Sequence, residues 1–581
     1  MSLAPQNQTP DITDALDGSL TTWYENVNNC LKASECVPGY YEYAQAPSYG
    51  NQCPIQEGGS TKIDIGCSRF EIVDLNNSYI DCVFTFPLTI PPQLYTREKF
   101  HDNESSPTYY VGFKSAFDVI DQYRIYSNGD LIHTQNHACY ESFLNYITLT
   151  DSAKEMNPCF ATLKKVMEHN QDVPGIYLRL NNIDTYTFNA NIHMKIPLNA
   201  FPLLQHLRYY PGYMGKLSIE IYPSYKNLVW CYLGKFTDRY NRGFADFYTG
   251  FERIDNENMT NSDEVHSDAY ANRGGNTFIQ INTVASNRHY IDMGEAPGEN
   301  QQENPNNYVE MFGLQRFTCD YSTLTKFTLY QAKYMIKMDV YNALEMNYLQ
   351  IPLLFPIQTV SNVKFTSAMG QGGNGGNDHF TLQNTATLSH CDTVFIVFPE
   401  NSNERTVSFN PYINAQLSIN GKYYPRETLS TNGTDPRFIN LVHDALNINN
   451  NPLMTISKDI ETSLKPYIHE KYMSSSNHWI CDHYYFAEGD RSNFVFAVPL
   501  STDEDFMGGI SSNGQTVQIE LIGDRDAIDK THNAANYTEA PIAVFLEDKL
   551  MKIYSMKPPG KPQVQITNAT LDQIIASGGS A

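Results

Sequence analysis

The sequence predicts an all-β protein made of two tandem jelly-roll (β-sandwich) domains, with short inserted helices and long surface loops. Three observations predict this fold class. Aromatic residues make up 13% of the chain, with 40 Tyr and 30 Phe, and aromatic side chains favour strands. The 581 residues exceed what one hydrophobic core holds, and two all-β domains of about 200 to 250 residues each fit that length. The third observation is a hairpin that occurs twice.

Two segments share nearly the same hairpin pattern, "YRIYSNGDLIHTQ" (residues 123–135) and "AQLSINGKYYPRE" (residues 415–427). Each centres on an Asn-Gly pair, at Asn128 and at Asn420. A two-residue type I′ turn needs positive φ at both central positions, so Asn-Gly between alternating runs is the strongest short hairpin signal. We therefore predict the same hairpin in two copies of one domain.

The register of each hairpin follows from counting outward from the turn. The third residue before the turn faces the third residue after it. This places Ile125 opposite Ile132 in the first hairpin and Leu417 opposite Tyr424 in the second. We expect these apolar pairs to hold the two strands of each hairpin together.

Further segments recur in the same order, which indicates duplication of a whole domain. Helix-like stretches follow both hairpins, "YESFLNYITL" and "RFINLVHDAL", with apolar residues three and four apart. The copies lie about 300 residues apart, whereas solenoid and propeller repeats recur every ~20 to 50 residues. The other matched positions are Pro87 with Pro356, Pro197 with Pro499, and Ile219 with Ile519.

Strand-like alternation divides the chain into five parts. Residues 1–54 form an N-terminal arm, residues 55–233 the first jelly roll, and residues 311–556 the second jelly roll. Between them, residues 234–310 are rich in Asn, Gly and acidic residues and are predicted to be a polar insertion or linker. Residues 557–581 form a C-terminal tail.

Charge and cysteine usage exclude several classes of protein. The chain has 40 Lys and Arg against 64 Asp and Glu, and its net charge of −24 repels phosphate, which argues against a protein that wraps nucleic acid over its whole surface. The start "MSLAPQNQTPDITDALDGS" lacks the basic and apolar regions of a signal peptide, so we expect no export and no membrane span. The 11 Cys include no C-x-x-C pair, which predicts buried free thiols in a reducing compartment.

No motif in the chain predicts catalysis. The loop "GQGGNGG" lacks the Lys-Ser/Thr of a P-loop, and neither G-x-S-x-G nor H-E-x-x-H occurs. A carboxylate pair for glycoside hydrolysis stays open, because the separation of two acidic groups is not readable from the sequence. We predict that the protein is not an enzyme and has no catalytic residue and no cofactor.

Two groups of residues that include histidines have the composition of metal ligands. His133 and His137 have ligand spacing only on a helix, yet His133 falls on a hairpin strand, which favours a polar rim. The segment "NHWICDHYYF" is the second group, and strand alternation sends its candidate residues to opposite faces. Cys481 and His483 face one side, and His478 and Asp482 face the other. We predict no metal site in either place.

Five segments carry a resemblance to a known family: "FPLTIPP", "YRIYSNGDLIHTQ", "IPLLFPIQTV", "FIVFPENSNERTVSFNPYINAQLSINGKYYPRETLST" and "NFVFAVPLS". On these segments, which cover most of residues 60–525, the chain resembles the double jelly-roll major capsid proteins of the Polinton (Maverick) and virophage group. The densest run is residues 395–431. The arm, the insertion and the tail lie outside these five segments.

The resemblance implies a structural role in a virion. It implies a homotrimer with a pseudo-hexagonal outline that tiles an icosahedral shell around a DNA genome, assembled inside the host cell. The implied partners are neighbouring copies, penton and minor capsid proteins, and genomic DNA at the inner face. The acidic insertion and the Gly-rich loop would lie on the outer surface.

Two other classes of protein remain open at this point. A trimeric viral spike or receptor-binding β-sandwich would not form hexagonal arrays. A carbohydrate-active β-sandwich enzyme or lectin would bind sugar saturably and would carry an export signal.

The end of the chain, from Leu546 onward, passes from a strand into the tail and is locally basic in an acidic chain. Lys549 and Lys552 precede the tail, and Lys557 and Lys561 lie in it. The segment "MKPPGKP" excludes helix, and we predict a solvated tail under the shell that touches neighbouring capsomers, minor proteins or DNA. The ending "ASGGSA" resembles the Gly-Gly sites cut by maturation proteases in this family, although Ala576 stands where a larger apolar residue is expected. An engineered linker explains this ending equally simply.

Overall fold

The structure of the chain is a computed structural model. The structure describes residues 41–45, 55–56, 58–66, 71–90, 108–179, 186–205, 207–232, 278–280, 290–292, 308–310, 323–335, 338, 342, 345–346, 353–369, 379–399, 406–411, 413–431, 435–446, 471–473, 479–481, 492–501, 508–525, 539–554 and 563–567.

The first half of the chain contributes sixteen strands in its described residues. They are β1 (Tyr41–Gln45), β2 (Ile55–Gln56), β3 (Thr61–Ile65), β4 (Glu71–Ile90), β5 (Thr108–Gly112), β6 (Ile120–Ser127), β7 (Asp130–Asn136), β8 (Gly175–Arg179), β9 (Tyr186–Pro197), β10 (Tyr209–Pro211), β11 (Leu217–Pro223), β12 (Val229–Tyr232), β13 (Ile279–Gln280), β14 (Tyr290–Asp292), β15 (Tyr308–Glu310) and β16 (Thr323–Met335).

The second half adds eleven strands in its described residues. They are β17 (Leu353–Lys364), β18 (His379–Ala386), β19 (Cys391–Val397), β20 (Ile413–Ile419), β21 (Lys422–Ser430), β22 (Lys471–Met473), β23 (Trp479–Cys481), β24 (Phe496–Pro499), β25 (Val517–Arg525), β26 (Ile542–Tyr554) and β27 (Gln563–Thr567).

Short helices lie between these strands. The α-helices are α1 (Ala138–Thr148), α2 (Asp151–Met156), α3 (Leu163–Met167), α4 (Pro202–Gln205) and α5 (Pro436–Ala445). Three 3₁₀ turns cover Ala116–Val119, Leu198–Ala200 and Gly212–Met214. Among the described residues, no helix has the length and apolar character needed to cross a bilayer.

The second half is a complete jelly roll. Lettered B to I in chain order, its strands are β17, β18, β19, β20, β21, β24, β25 and β26. One antiparallel sheet has the order β17-β26-β19-β24, or B-I-D-G, and the other has the order β18-β25-β20-β21, or C-H-E-F. Two sheets with these orders are the jelly-roll arrangement of two Greek keys.

The first half repeats the same strand order. Strand β16 pairs with both β1 and β4, and β4 pairs with β9, which gives B-I-D-G. The second sheet is β3-β11-β6-β7, which gives C-H-E-F. The predicted fold class of two tandem jelly rolls is therefore confirmed.

The pairing of the strands moves three of the expected boundaries. Strand B of the first jelly roll is Tyr41–Gln45, inside the expected N-terminal arm, and strand I is Thr323–Met335, inside the expected second domain. The 234–310 segment thus connects strands H and I of one jelly roll and does not link two domains. Sequence alternation missed this because a first and a last strand can pair across any length of intervening chain.

The C-terminal tail also contributes a strand. Gln563–Thr567 pairs antiparallel with Leu550–Tyr554 of β26. Strand D of the second jelly roll, β19, pairs with β26 only over Ile542–Glu547, so β27 continues the sheet where β19 ends. The expectation of a wholly solvated tail is wrong for these five residues; Lys557 and Lys561 lie outside the described residues.

The two Asn-Gly hairpins occupy the same place, between strands E and F of each jelly roll. Asn128 and Gly129 have φ of 52° and 99°, and Asn420 and Gly421 have φ of 51° and 77°. Positive φ at both central positions confirms the type I′ prediction.

The predicted register holds in one hairpin only. Leu417 faces Tyr424, as expected. In the first hairpin Ile125 faces His133 instead of Ile132, because the ladder shifts between Ile125 and Tyr126. A β-bulge adds one residue to one strand and so displaces every pair beyond it.

Most of the other repeat matches are confirmed. Pro197 and Pro499 both end strand G, and α1 and α5 both follow strand F. Ile219 and Ile519 both lie in strand H, but their match is displaced by two residues, because Ile219 faces Ile125 whereas Leu521 faces the equivalent Leu417. The match of Pro87 with Pro356 is wrong, because Pro87 lies in strand D of the first jelly roll and Pro356 in strand B of the second.

Alternating burial along the strands builds the core between the sheets of each jelly roll. In β4 the side chains of Ile80, Cys82, Phe84 and Phe86 are buried and point to one face, as the period of two requires. Burying one such side chain contributes roughly 1.5–3 kcal/mol. The apolar alternation in the sequence therefore encodes which face of each sheet is covered.

A further small sheet joins three connections of the first jelly roll. Its order is β13-β12-β5-β8, and these strands come from the H–I, D–E and F–G connections. These connections lie at the same end of a jelly roll, so one end of the domain carries additional structure.

Candidate functional site: the seam between the two jelly rolls

The two jelly rolls of the chain meet along a buried seam. On the first roll the seam includes strand F (β7) and α4, and on the second it includes β17 and β27. The Gln135 side-chain amide, on β7, donates a hydrogen bond to the Val360 carbonyl oxygen, on β17, at 3.0 Å. Side chains of one roll thus recognise the backbone of the other.

Lys114 is the main polar link across the seam. It follows β5, and its side chain is buried, with 2% of the residue exposed. Its ammonium donates to the Thr406 carbonyl oxygen at 3.3 Å, to Ser492 Oγ at 2.9 Å and to Asn493 Oδ1. All three acceptors belong to the second jelly roll, so one cation of the first roll is bound by the second.

The backbone around Lys114 is fixed by local hydrogen bonds. Ser115 caps the following 3₁₀ turn, with its Oγ accepting from the Phe117 N–H at 3.2 Å, while the Ser115 N–H donates to Asp118 Oδ2 at 3.0 Å. The Lys114 carbonyl oxygen accepts from the Ala161 N–H at 2.8 Å. This reciprocal cap holds the base of the lysine side chain in one place.

The acceptor segments of the second roll are tied to each other. The Ser408 N–H donates to the Ser492 carbonyl oxygen at 2.9 Å, and the Phe494 N–H donates to the Ser408 carbonyl oxygen at 3.0 Å. These segments belong to the D–E and F–G connections, so Lys114 binds at a junction of two connections.

Aromatic rings cover the ammonium from the first roll. The Nζ atom of Lys114 lies 4.8 Å from the ring centroid of Tyr146 and 5.8 Å from that of Phe143, both on α1. A second buried lysine, Lys154, has its Nζ 4.6 Å from the same Tyr146 ring and 3.4 Å from Asp151 Oδ1. Cation–π contacts of this kind strengthen when they are desolvated.

An apolar cluster lies next to this polar junction. Val407 and Phe409 of the second roll are buried in a cluster whose other members come from the first roll. Those members are Tyr110, Ala161, Leu163, Val166, Val173, Val229, Cys231 and Phe278. The D–E connection of the second roll is therefore docked on the end of the first roll that carries the small sheet.

Two buried carboxyl groups lie near the seam. Burial raises the pKa of Asp118 to about 6, although the nearby Lys114 lowers it. Burial likewise raises the pKa of Glu141, on α1, to about 8, and the Tyr123 hydroxyl donates to Glu141 Oε2 at 2.9 Å.

The histidines considered as metal ligands have other roles where the structure describes them. Burial, with a smaller contribution from the Lys549 charge, lowers the pKa of His133 to about 4. His137 precedes α1 with a φ of 55° and its Nδ1 lies 4.0 Å from Asp121 Oδ1. Within the described ranges no group of three or more His, Cys, Asp or Glu is placed to hold a metal ion.

Several other candidates lie outside the described residues. These are His478, Asp482, His483 and the "GQGGNGG" loop. Cys481 is the last residue of β23. Five cysteines that the structure describes are free and buried, as expected: Cys82, Cys139, Cys159, Cys231 and Cys391.

Sequence reasoning did not find Lys114. It lies in "YYVGFKSAFDV" as a single lysine among apolar residues, with no motif around it. The only available signal was a charge inside an otherwise apolar run, which predicts that a charge will be buried with partners but does not identify them.

No family model matches the chain, and no curated protein matches it. Comparison with solved structures aligns 93% of this chain with 92% of the mavirus major capsid protein, at 10% identity and a TM-score of 0.45. A chain of the Sputnik virophage aligns over 92% of this chain and 90% of its own length, at 9% identity and a TM-score of 0.45. The Faustovirus major capsid protein aligns over 94% of this chain and 99% of its own, at 8% identity and a TM-score of 0.35.

Proposed function

We propose that this chain is a double jelly-roll major capsid protein. Three copies would form a capsomer with a pseudo-hexagonal outline, and such capsomers would tile an icosahedral shell around a DNA genome. The proposal rests on one observation above the others, namely two complete jelly rolls with the same strand order, fastened side by side by a buried seam.

Duplication of a domain suits a shell-forming trimer. Closed rotational symmetry of order three uses the same surfaces on every copy. With two similar jelly rolls in each chain, a trimer presents six similar corners, which hexagonal packing requires. A rigid seam serves this purpose because it keeps the two rolls of each chain in one relative orientation.

The partners follow from this assembly. They are neighbouring copies of the chain, penton and minor capsid proteins, and genomic DNA at the inner face, within a virion assembled in the host cell. The sequence resemblance to the Polinton and virophage group supports this role. A structural role also fits the absence of a catalytic motif in the sequence.

A trimeric spike is the alternative. It would share the β-sandwich domains and the threefold symmetry, and it would not form arrays. Multi-angle light scattering on the purified chain tests the association that both readings require. We expect a trimer of about 198 kDa, three times the chain mass of 66.0 kDa, and a stable monomer at micromolar concentration would overturn the proposal.

A further inference from the structure

We infer that Lys114 fixes the orientation of the second jelly roll on the first, in addition to the hydrogen bond from Gln135 to the Val360 carbonyl oxygen. Its three acceptors, the Thr406 carbonyl oxygen, Ser492 Oγ and Asn493 Oδ1, all belong to the second roll, while its backbone is held by the first. The role is one of geometric specificity and not of net stability.

The chemistry of a buried ammonium supports this role. An ammonium has three N–H donors and no acceptor, and its burial is costly unless each donor finds an acceptor. The apolar contacts of Val407 and Phe409 tolerate small sliding movements, whereas a desolvated cation does not. Orientations of the second roll that move Ser492 and Asn493 away from Lys114 are therefore excluded.

A second lysine provides a matched comparison. Lys154 is as deeply buried as Lys114 and contacts the same Tyr146 ring, but that ring and its carboxylate partner Asp151 both belong to the first roll. Replacing Lys154 should disturb the first roll without changing how the second is placed. Comparing variants of the two lysines therefore separates the effect of burying a charge from the effect of its position at the seam.

The consequence for assembly rests on the proposed function. A capsomer whose six corners must match its neighbours needs one fixed angle between the two rolls of each chain. Loosening that angle should leave the trimer intact and reduce the yield of closed particles at least tenfold.

The direct test measures the angle without requiring assembly. Leu131 and Tyr423 occupy matching positions after the two hairpin turns and are 55% and 48% exposed, so both accept a label. An unnatural amino acid with a ketone group is placed at each of the two positions, and a spin label is coupled to the ketone. This chemistry leaves the native cysteines unlabelled. Double electron–electron resonance, with labelled protein diluted into unlabelled protein, then gives the distribution of distances between the two rolls.

We expect Lys114→Met to broaden this distribution at least twofold and Asn493→Leu to broaden it in the same way from the other side. Lys154→Met should match the wild type. A distance distribution as narrow as the wild type's in Lys114→Met, or equal broadening in Lys154→Met, would overturn the inference. If Lys114→Met does not fold, a narrow distribution in Asn493→Leu would overturn it instead. A wild-type chain that forms no trimer would overturn the proposed function and leave this distance measurement standing.

Discussion

The backbone N–H of Asn128 donates a hydrogen bond to the carbonyl oxygen of Lys216 at 2.7 Å. At the matching place in the second jelly roll, the N–H of Asn420 donates to the carbonyl oxygen of Gln518 at 2.8 Å. In both rolls the E–F turn is thereby tied to the start of strand H. The repeated Asn-Gly in the sequence therefore marks a repeated tertiary contact as well as a repeated turn.

The first prediction concerns the glycines of these turns. Gly129→Val and Gly421→Val should each destabilise the chain by about 1–3 kcal/mol, because a β-branched residue at positive φ is strained. A Cβ atom at either position would meet no atom within 4 Å, so any loss comes from the backbone conformation and not from a clash. Urea unfolding of each variant measures the loss.

The control for this prediction is the next residue in the second hairpin. Lys422→Val makes the same kind of substitution on an exposed strand position, where valine is favourable. Wild-type stability in the glycine variants, or an equal loss in Lys422→Val, would contradict the turn assignment.

The sequence allowed the duplication to be predicted because the turn chemistry is local. Asn-Gly needs no distant partner to be recognised, and strand alternation around Ile219 and Ile519 is equally local. The boundary of the first roll could not be predicted, because Tyr41–Gln45 and Thr323–Met335 pair across a long stretch of intervening chain. The bulge beside Ile125 could not be predicted from the sequence for a different reason. An extra residue leaves the apolar pattern of a short strand nearly unchanged.

The contacts between the two jelly rolls could not be predicted from the sequence either. Lys114 acquires its role only when Ser492 and Asn493 are brought to it by the folding of the second roll. A single buried lysine has no period and no spacing that would identify its acceptors.

The second prediction concerns pH. Burial raises the folded-state pKa of Glu141 from 4.5 to about 8, so its contribution to stability is fully present below pH 4.5 and is lost as the pH rises through about 8. Compared with Glu141→Gln, the wild type should therefore lose free energy of unfolding across this window, by at most about 1.4 kcal/mol per pH unit.

Chemical denaturation of both proteins at pH 5, 6, 7 and 8 gives this difference directly. Comparison with the glutamine variant cancels the contribution of His133, whose lowered pKa acts in the opposite direction between about 4 and 6.5. A difference between the two proteins that stays constant or grows with pH would show that the Glu141 carboxyl is not desolvated in solution.

The third prediction concerns the C-terminal strand. A chain ending at residue 562 lacks β27 and leaves the edge of β26 at Leu550–Tyr554 without that partner. Because an open strand edge invites pairing between molecules, we expect a lower melting temperature and more aggregation on heating. A chain ending at residue 567 retains the strand and should match the full-length protein by differential scanning calorimetry and light scattering.

The pairing of β27 determines how a deletion of the tail should be designed. Removing residues 557–581 as a whole removes β27 together with the residues beyond it, so that deletion does not separate their effects. The truncation at residue 567 isolates the effect of residues 568–581 on assembly, whereas the truncation at residue 562 adds the loss of a sheet strand. Equal stability of the two truncated chains would contradict the pairing of β27 with β26.

Electron microscopy of the purified protein in negative stain, followed by two-dimensional class averaging, tests whether this chain forms a shell subunit from two similar jelly rolls. We expect flat trimers with a pseudo-hexagonal outline and six similar densities, two from each chain. Monomers, or elongated trimers without a hexagonal outline, would contradict it.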